Sequence, residues 1–158
     1  VEQLAYRKAK FILEKHIDED VIVLGADTVV VLDDKVLGKP ADKKEAKQML
    51  ENLSSKEHSV LTGYALVDHK KKFVSSEKTL VRFDKIDKDL LDLYLSTGES
   101  MDKAGAYGIQ GQALSFISNV SGSYANVVGL PVHSVLQDLK TFLGYKDDDK
   151  GIWRGHFS

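Results

Sequence analysis

The sequence contains no cysteine and no long apolar run, and each absence excludes a class of protein. Without cysteine the chain forms neither disulfide bonds nor thiolate metal sites. No apolar stretch approaches the roughly 18 to 20 residues that span a bilayer, and no segment has the pattern of a signal peptide. These absences predict a cytoplasmic protein with no membrane partner.

An excess of charge of one sign is also lacking. The chain carries 22 Lys and Arg residues against 24 Asp and Glu residues, a net charge of -2. This balance gives no basic surface for tight non-specific binding to DNA or RNA, so we expect no nucleic-acid partner. An anionic ligand would have to be held by a local site.

Several catalytic signatures are missing as well. The chain has no P-loop, no G-x-G-x-x-G dinucleotide fingerprint and no G-x-S-x-G nucleophile elbow. Its five histidines are scattered, without the H-E-x-x-H spacing of a zinc site. The sequence therefore gives no support for a serine hydrolase or a histidine metal cluster.

Apolar periodicity and the mixture of hairpins and helices indicate one α/β or α+β domain over residues 1–144, with a mixed sheet. The predicted helices are 1–16, 42–53, 86–95 and 131–142, and the predicted strands are 21–24, 29–32, 36–37, 58–67, 72–83 and 113–120. Residues 145–158 include Tyr145-Lys146-Asp147-Asp148-Asp149-Lys150, which is close to an acidic epitope tag. We expect this tail to be non-native and exclude it from the fold.

Two short segments in the first third of the chain carry candidate site residues. Asp27 follows an apolar strand that ends at Gly25, where a carboxylate could bind a divalent cation or orient a water molecule. It could equally be a turn aspartate that accepts backbone hydrogen bonds. Lys39 lies in Gly38-Lys39-Pro40 at the exit of a hairpin, and it could approach a phosphate or be an exposed turn lysine.

Two glycine-rich segments follow later in the chain. In residues 98–111 the glycines allow the backbone to fold closely around a ligand. Here Glu99 and Asp102 supply hard oxygens, Lys103 a cation, and Gln110 both a donor and an acceptor for a base edge. Residues 121–131 could close over a sugar or base, or could simply lead into the last helix.

Together these segments resemble the Maf family of nucleoside triphosphate pyrophosphatases. The matching stretches are, in order, Leu24 to Val30, Gly38 to Pro40, His58 to Gly63, Asp102 to Gly111 and Gly122 to Pro131. The resemblance implies a Maf- and ITPase-like α/β fold, a mixed, elongated β-sheet flanked by helices with a nucleotide in a cleft. It also implies hydrolysis of dTTP or UTP, with modified pyrimidine nucleotides as further substrates, assisted by Mg²⁺ or Mn²⁺.

Roles for individual residues also follow from the resemblance. Asp27 matches the family's proton acceptor, acting either as the base or as a metal ligand, and Lys39 is the second expected catalytic residue. Lys103 matches a lysine near the triphosphate, and Thr28 and Gln110 match positions that influence substrate choice.

Gly105 and Tyr107 lie in the same matching stretch, and we expect both to contact substrate.

One departure from the family pattern adds an alternative. Family members begin with a strand and a loop reading roughly S-x-S-P-R-R, and this motif is not found here. We therefore expect an N-terminal segment to be missing and a sheet edge to be exposed, which favours a homodimer or aggregation. The alternative function is a catalytically weak, Maf-like nucleotide-binding regulator of cell division.

Overall fold

The computed structural model describes residues 1–146, in which five strands form one sheet in the order β2-β1-β3-β4-β5. The strands are β1 (Val23–Leu32), β2 (Lys35–Leu37), β3 (Glu57–Val67), β4 (Lys72–Phe83) and β5 (Ile117–Ser121). The helices are α1 (Glu2–Leu13), α2 (Lys43–Leu53), α3 (Lys88–Ser96), α4 (Tyr124–Val128) and α5 (Val132–Phe142). The expected tail lies, apart from Tyr145 and Lys146, outside the described residues.

The sheet confirms the α/β class, with helices flanking its strands. Every pairing among the described strands is antiparallel, so the parallel pairs of a mixed sheet are not found within residues 1–146. Short turns join β1 to β2 and β3 to β4, and such hairpin turns connect only antiparallel strands. In the second turn the Asp68 carboxylate accepts hydrogen bonds from the backbone N–H groups of Lys70 and Lys71, both at 2.7 Å.

Side chains alternate between the two faces of the sheet along each strand, so both faces carry apolar residues, and helices cover both. On one face, Ala5, Ala9 and Leu13 of α1 pack against Ala65 and Val67 of β3. The other face carries the larger core, in which α2 and α3 pack on the sheet. Its fully buried members include Leu50, Leu53, Val60, Val81 and Phe83. We call this second side the cleft face.

The start of α2 shows how the sequence positions an element. Asp42 is the N-cap, and its carboxylate accepts a hydrogen bond from Glu45 N at 2.8 Å. Glu45 in turn accepts from Ala41 N at 2.6 Å, so the exposed N–H groups before the helix are satisfied. This confirms the predicted helix. Within the described part, no helix is long and apolar enough to cross a bilayer.

Strand β1 corrects one prediction. The sequence predicted a break at Gly25, yet β1 runs without interruption from Val23 to Leu32 and pairs with β3 through Asp27. Gly25 faces α1 so closely that a Cβ atom there would lie 2.3 Å from the carbonyl oxygen of Ala5. The glycine therefore marks close helix approach, and Asp27 lies within a strand rather than in a turn.

The predicted strand over 113–120 is also partly wrong. Residues Gln112–Phe116 form a 3-10 helix, and the strand begins only at Ile117. Ala113 and Phe116 are both buried, because a spacing of three residues places them on one side of a helical turn. The sequence left residues 121–131 as a link, but they contain helix α4, whose N-cap is Ser123; its hydroxyl accepts from Asn126 N.

Candidate active site

A cleft of about 670 Å³ opens on the cleft face of the sheet. Thr28 and Val30 of β1 and Val60 of β3 form its floor, residues of the 99–111 segment form one wall, and Val127 to Gly129 form the other. The cleft therefore joins segments that are far apart in the chain. Within the 121–131 segment, Val127 to Gly129 line the cleft and Pro131 leads into α5, while closure over a sugar or base stays a prediction.

Two lysines enter the same cleft. A hydrogen bond of 3.0 Å from Gly105 N to the carbonyl oxygen of Gly38 links the hairpin exit to the 99–111 segment, so Lys39 and Lys103 both line the cleft. Gly105 has a φ of 68° and lies against Val30, where a Cβ would come within 3.0 Å of that side chain. Gly105 thus brings the walls together and is not among the lining residues.

Lys103 also has an acidic neighbour at the mouth of the cleft. Its ammonium group is 3.0 Å from Asp102 Oδ2. This hydrogen bond, with the positive charges of Lys103 and Lys39, holds the pKa of Asp102 below its usual range. Both side chains are about half exposed or more, so a phosphate can exchange for the carboxylate at little cost.

Gln110 and Thr28 also line the cleft, and their contact with a base stays a prediction. The turn that carries Gln110 is held by Glu99, whose carboxylate accepts from Gln112 N at 3.2 Å. A Cβ on Gly111 would lie 2.2 Å from that carboxylate, so this glycine permits the close approach of Glu99. The Glu99 carboxylate therefore supports the wall beside Gln110.

Tyr107 forms part of the same wall and has a buried partner. Its hydroxyl lies 2.7 Å from Nε2 of His58, and both residues are at most 5% exposed. Burial lowers the pKa of His58 to about 4 and raises the pKa of Tyr107. Both groups are therefore neutral at pH 7. Phe83 packs edge-on against both rings and fixes their positions.

Asp27 lies apart from this group. Successive side chains of a strand point to opposite faces of the sheet, so Asp27 points away from the side of Thr28 and faces α1. There its Oδ1 is 2.7 Å from the ammonium group of Lys8. Its side chain is 15% exposed. The structure thus brings together Thr28, Lys39, Lys103, Tyr107 and Gln110 in the cleft and places Asp27 on the other face of β1.

The open edge of β1 lies between the two faces. Strand β2 pairs only with Val30 to Leu32, so no described strand pairs with residues 23–29 on that side. Asp27 and Thr28 are neighbours on this edge. A ligand that extends from the cleft around this edge would therefore lie close to both side chains.

A cation would have few protein ligands here. Within residues 1–146 no group of three or more histidine, aspartate or glutamate side chains is arranged to hold a metal ion. Mg²⁺ commonly binds through one or two carboxylates together with substrate phosphates and water. The partly exposed carboxylate of Asp27 fits that mode of binding.

Two neighbours of the site were not anticipated from the sequence. The sequence gives Lys8 no role in a site, and His58 begins the stretch His58 to Gly63 that matches the family, without a role for its side chain. The helical spacing of Lys8 from Ala5 and Ala9 gave no sign of its contact with Asp27. The partner of His58 is 49 residues away in sequence, and no local pattern indicates such a pair.

Comparison with known proteins assigns the family. The model of the family described as Maf-like protein matches residues 1–142. The dTTP/UTP pyrophosphatase of Symbiobacterium thermophilum is 52% identical over 145 residues, which cover 92% of this chain and 73% of that protein. The dTTP/UTP pyrophosphatase of Pyrococcus abyssi is 47% identical over 144 residues, 91% of this chain and 75% of its own length. The chain therefore belongs to the Maf family.

Proposed function

We propose that this protein is a nucleoside triphosphate pyrophosphatase that hydrolyses dTTP and UTP to the monophosphate and pyrophosphate. The observation that carries the proposal is the cleft, which combines two lysines with Thr28 and Gln110 beside the Asp27 edge of β1. The names of the relatives support the choice of dTTP and UTP. Modified pyrimidine triphosphates are further candidate substrates.

Each group in the site has a chemical task. Lys39 and Lys103 offset the negative charge of the phosphates, and the Gln110 amide provides a donor and an acceptor for the base. The triphosphate passes around the open edge of β1 toward Asp27. There the carboxylate accepts a proton from the attacking water as the bond between the α-phosphorus and the bridging oxygen breaks, and pyrophosphate leaves.

Lys8 and a divalent cation complete the proposal. The Lys8 ammonium holds Asp27 Oδ1 at 2.7 Å and so fixes the orientation of the carboxylate. Mg²⁺ or Mn²⁺ would be held by Asp27 and the substrate phosphates, and when bound it would offset charge on the leaving pyrophosphate. The second role open to Asp27, as a metal ligand, is compatible with the same geometry.

The test is pyrophosphate release from dTTP, UTP and methylated GTP with Mn²⁺, comparing the protein with its Asp27→Asn variant. We expect release from the two pyrimidine nucleotides and a loss of roughly 100-fold or more on substitution. Asp33→Asn is a matched control, because Asp33 lies in the β1–β2 turn and pairs with the exposed Lys56. The control should keep full activity.

The contrary outcomes separate the alternatives. Equal activity in the protein and its Asp27→Asn variant would remove Asp27 from the reaction. Nucleotide binding without pyrophosphate release would instead support the binding regulator, an alternative motivated by the position of Asp27 outside the cleft lining.

A further inference from the structure

A buried hydroxyl lies directly behind Thr28 on the cleft face. Thr28 of β1 pairs with Thr62 of β3, and their Oγ1 atoms are 2.8 Å apart. Thr62 is fully buried, and its hydroxyl donates to the carbonyl oxygen of Asn126 at 3.1 Å. A chain of hydrogen bonds thus runs from the cleft floor into the core.

The number of hydroxyl hydrogens determines what Thr28 offers a ligand. If Thr62 donates to Asn126, it must accept from Thr28, because each hydroxyl has a single hydrogen. In the reverse order Thr62 donates to Thr28, and the Thr28 hydrogen is directed to the carbonyl oxygen of Gly129 at 3.4 Å. The first arrangement makes the two shorter bonds, at 2.8 and 3.1 Å, and in it the protein takes the hydrogen of Thr28, so that only lone pairs remain for the cleft.

The acceptor at the end of this chain is fixed in place. The Asn126 side chain is fully buried, and the two hydrogens of its amide are shared among three acceptors, the carbonyl oxygens of Val60 and Glu77 at 3.2 Å each and Thr79 Oγ1 at 2.9 Å. Asn126 therefore cannot turn its backbone carbonyl away from Thr62 without breaking several buried hydrogen bonds. These bonds keep the carbonyl oxygen of Asn126 within reach of the Thr62 hydroxyl.

We propose that Thr62 is a positioning residue for base selection, which makes Thr28 a hydrogen-bond acceptor toward the cleft. Such a site accepts a base with an N–H donor at that point, the imide of thymine and uracil, over cytosine, whose N3 is an acceptor. This inference rests on the proposed function, since it concerns the base of the same substrates. A mismatched polar contact inside a cleft is costly because two acceptors then face each other.

The experiment measures binding rather than turnover. The dissociation constants of α,β-methylene-UTP and α,β-methylene-CTP, which cannot be cleaved at the α–β bond, are determined by calorimetry. We expect the protein to favour the uridine analogue. Thr62→Val removes the acceptor at 2.8 Å and leaves the Thr28 hydrogen only the carbonyl oxygen of Gly129 at 3.4 Å, so Thr28 can donate to the cleft. The preference for uridine should then fall by roughly 3- to 10-fold, the equivalent of one hydrogen bond.

Three further variants keep the test specific. Thr62→Ser retains the hydroxyl and should restore the preference. Thr79→Val removes a buried hydroxyl that also holds the α4 segment, through Ser123 and Asn126, but does not contact Thr28. It should leave the preference unchanged. Thr28→Val removes the acceptor itself and should lose the preference even if Thr62→Val does not fold.

Several results would overturn the inference. Equal affinity of the protein for the two analogues would do so, as would a preference that survives in folded Thr62→Val or in Thr28→Val. An equal loss in Thr79→Val would show that the segment had merely loosened. Pyrophosphate release, assayed separately, reports on the proposed function whether or not the base preference depends on Thr62.

Discussion

At the residue scale, His58 is a titrating group that is buried between Tyr107 and Phe83. Its folded pKa of about 4 lies below its ordinary value of 6.5, so the unfolded chain binds the proton more tightly. The contribution of the neutral ring to the unfolding free energy is therefore fully present above about pH 6.5 and is lost as the pH falls toward 4. Below that pH the loss levels off.

We expect this single group to remove up to about 3 kcal/mol of unfolding free energy between those pH values. The measurement is urea unfolding as a function of pH. His58→Gln cannot titrate and should show a shallower decline, whereas His69→Gln, at an exposed site, should follow the unmodified protein. Parallel curves for the protein and His58→Gln would contradict the assignment.

The sequence predicted most of the cleft residues but not their arrangement. Lys39, Lys103 and Gln110 were identified because they lie in glycine-containing segments, and the structure places all three in the cleft. Asp27 was grouped with them, yet strand alternation places it on the opposite face from Thr28. The order of motifs along the chain does not give the face of the sheet on which a side chain lies. Here the predicted strand ended at Gly25, so the alternation of side chains was not extended to Asp27 and Thr28.

At the element scale, α1 depends on two glycines in the sheet beneath it. A Cβ at Gly25 would lie 2.3 Å from the Ala5 carbonyl oxygen, and one at Gly63 would lie 2.6 Å from Glu2 N. Both obstacles are backbone atoms, which cannot rotate away. The close approach of α1, the helix that carries Lys8, therefore depends on the absence of a side chain at Gly25 of β1 and at Gly63 of β3.

Gly25→Ala should consequently move or release α1. We expect a loss of roughly 1 to 3 kcal/mol in unfolding free energy, the usual cost of overpacking, together with weaker pyrophosphate release because Lys8 shifts from Asp27. Gly38→Ala is the matched control for stability, because nothing lies within 4 Å of its added Cβ. Equal urea midpoints for the two variants would argue against the close packing of α1.

Elements with a clear period were predicted well, and short ones were not. The apolar positions of α2 were all identified, since Ala46, Met49, Leu50 and Leu53 repeat at helical spacing and all are buried. Residues 113–120 were predicted to be a strand because this short segment contains too few apolar residues for their spacing to distinguish a 3-10 helix from a strand. In such segments tertiary packing, here of Ala113 and Phe116, decides the conformation.

At the scale of the whole molecule, ligand binding and folding are coupled. The cleft is lined by residues of β1 and β3, the hairpin exit, the 99–111 segment, the end of α4 and Gly129. A nucleotide that contacts all of them binds only the folded chain. At a free concentration 100 times its dissociation constant, such a ligand adds about 2.7 kcal/mol of stability.

We expect α,β-methylene-UTP to raise the Tm by roughly 5 to 10 °C under those conditions. At the same ligand concentration Lys103→Met should show a smaller rise, since it loses the proposed contact between Lys103 and the phosphates. Lys47→Met is the control, because Lys47 pairs with Asp92 away from the cleft, and it should behave like the unmodified protein. A ligand-independent Tm in the unmodified protein would contradict the coupling.

The placement of Asp27 and Thr28 on consecutive positions of β1 has a consequence for how this protein can vary. Each side chain owes its surroundings to one register with β3, in which Asp27 lies opposite Gly63 and Thr28 opposite Thr62. Inserting or deleting a single residue earlier in the strand would exchange the two sides, turning a hydroxyl toward Lys8 and a carboxylate toward the cleft. Substitutions can therefore adjust either side independently, whereas changes in strand length disrupt both at once.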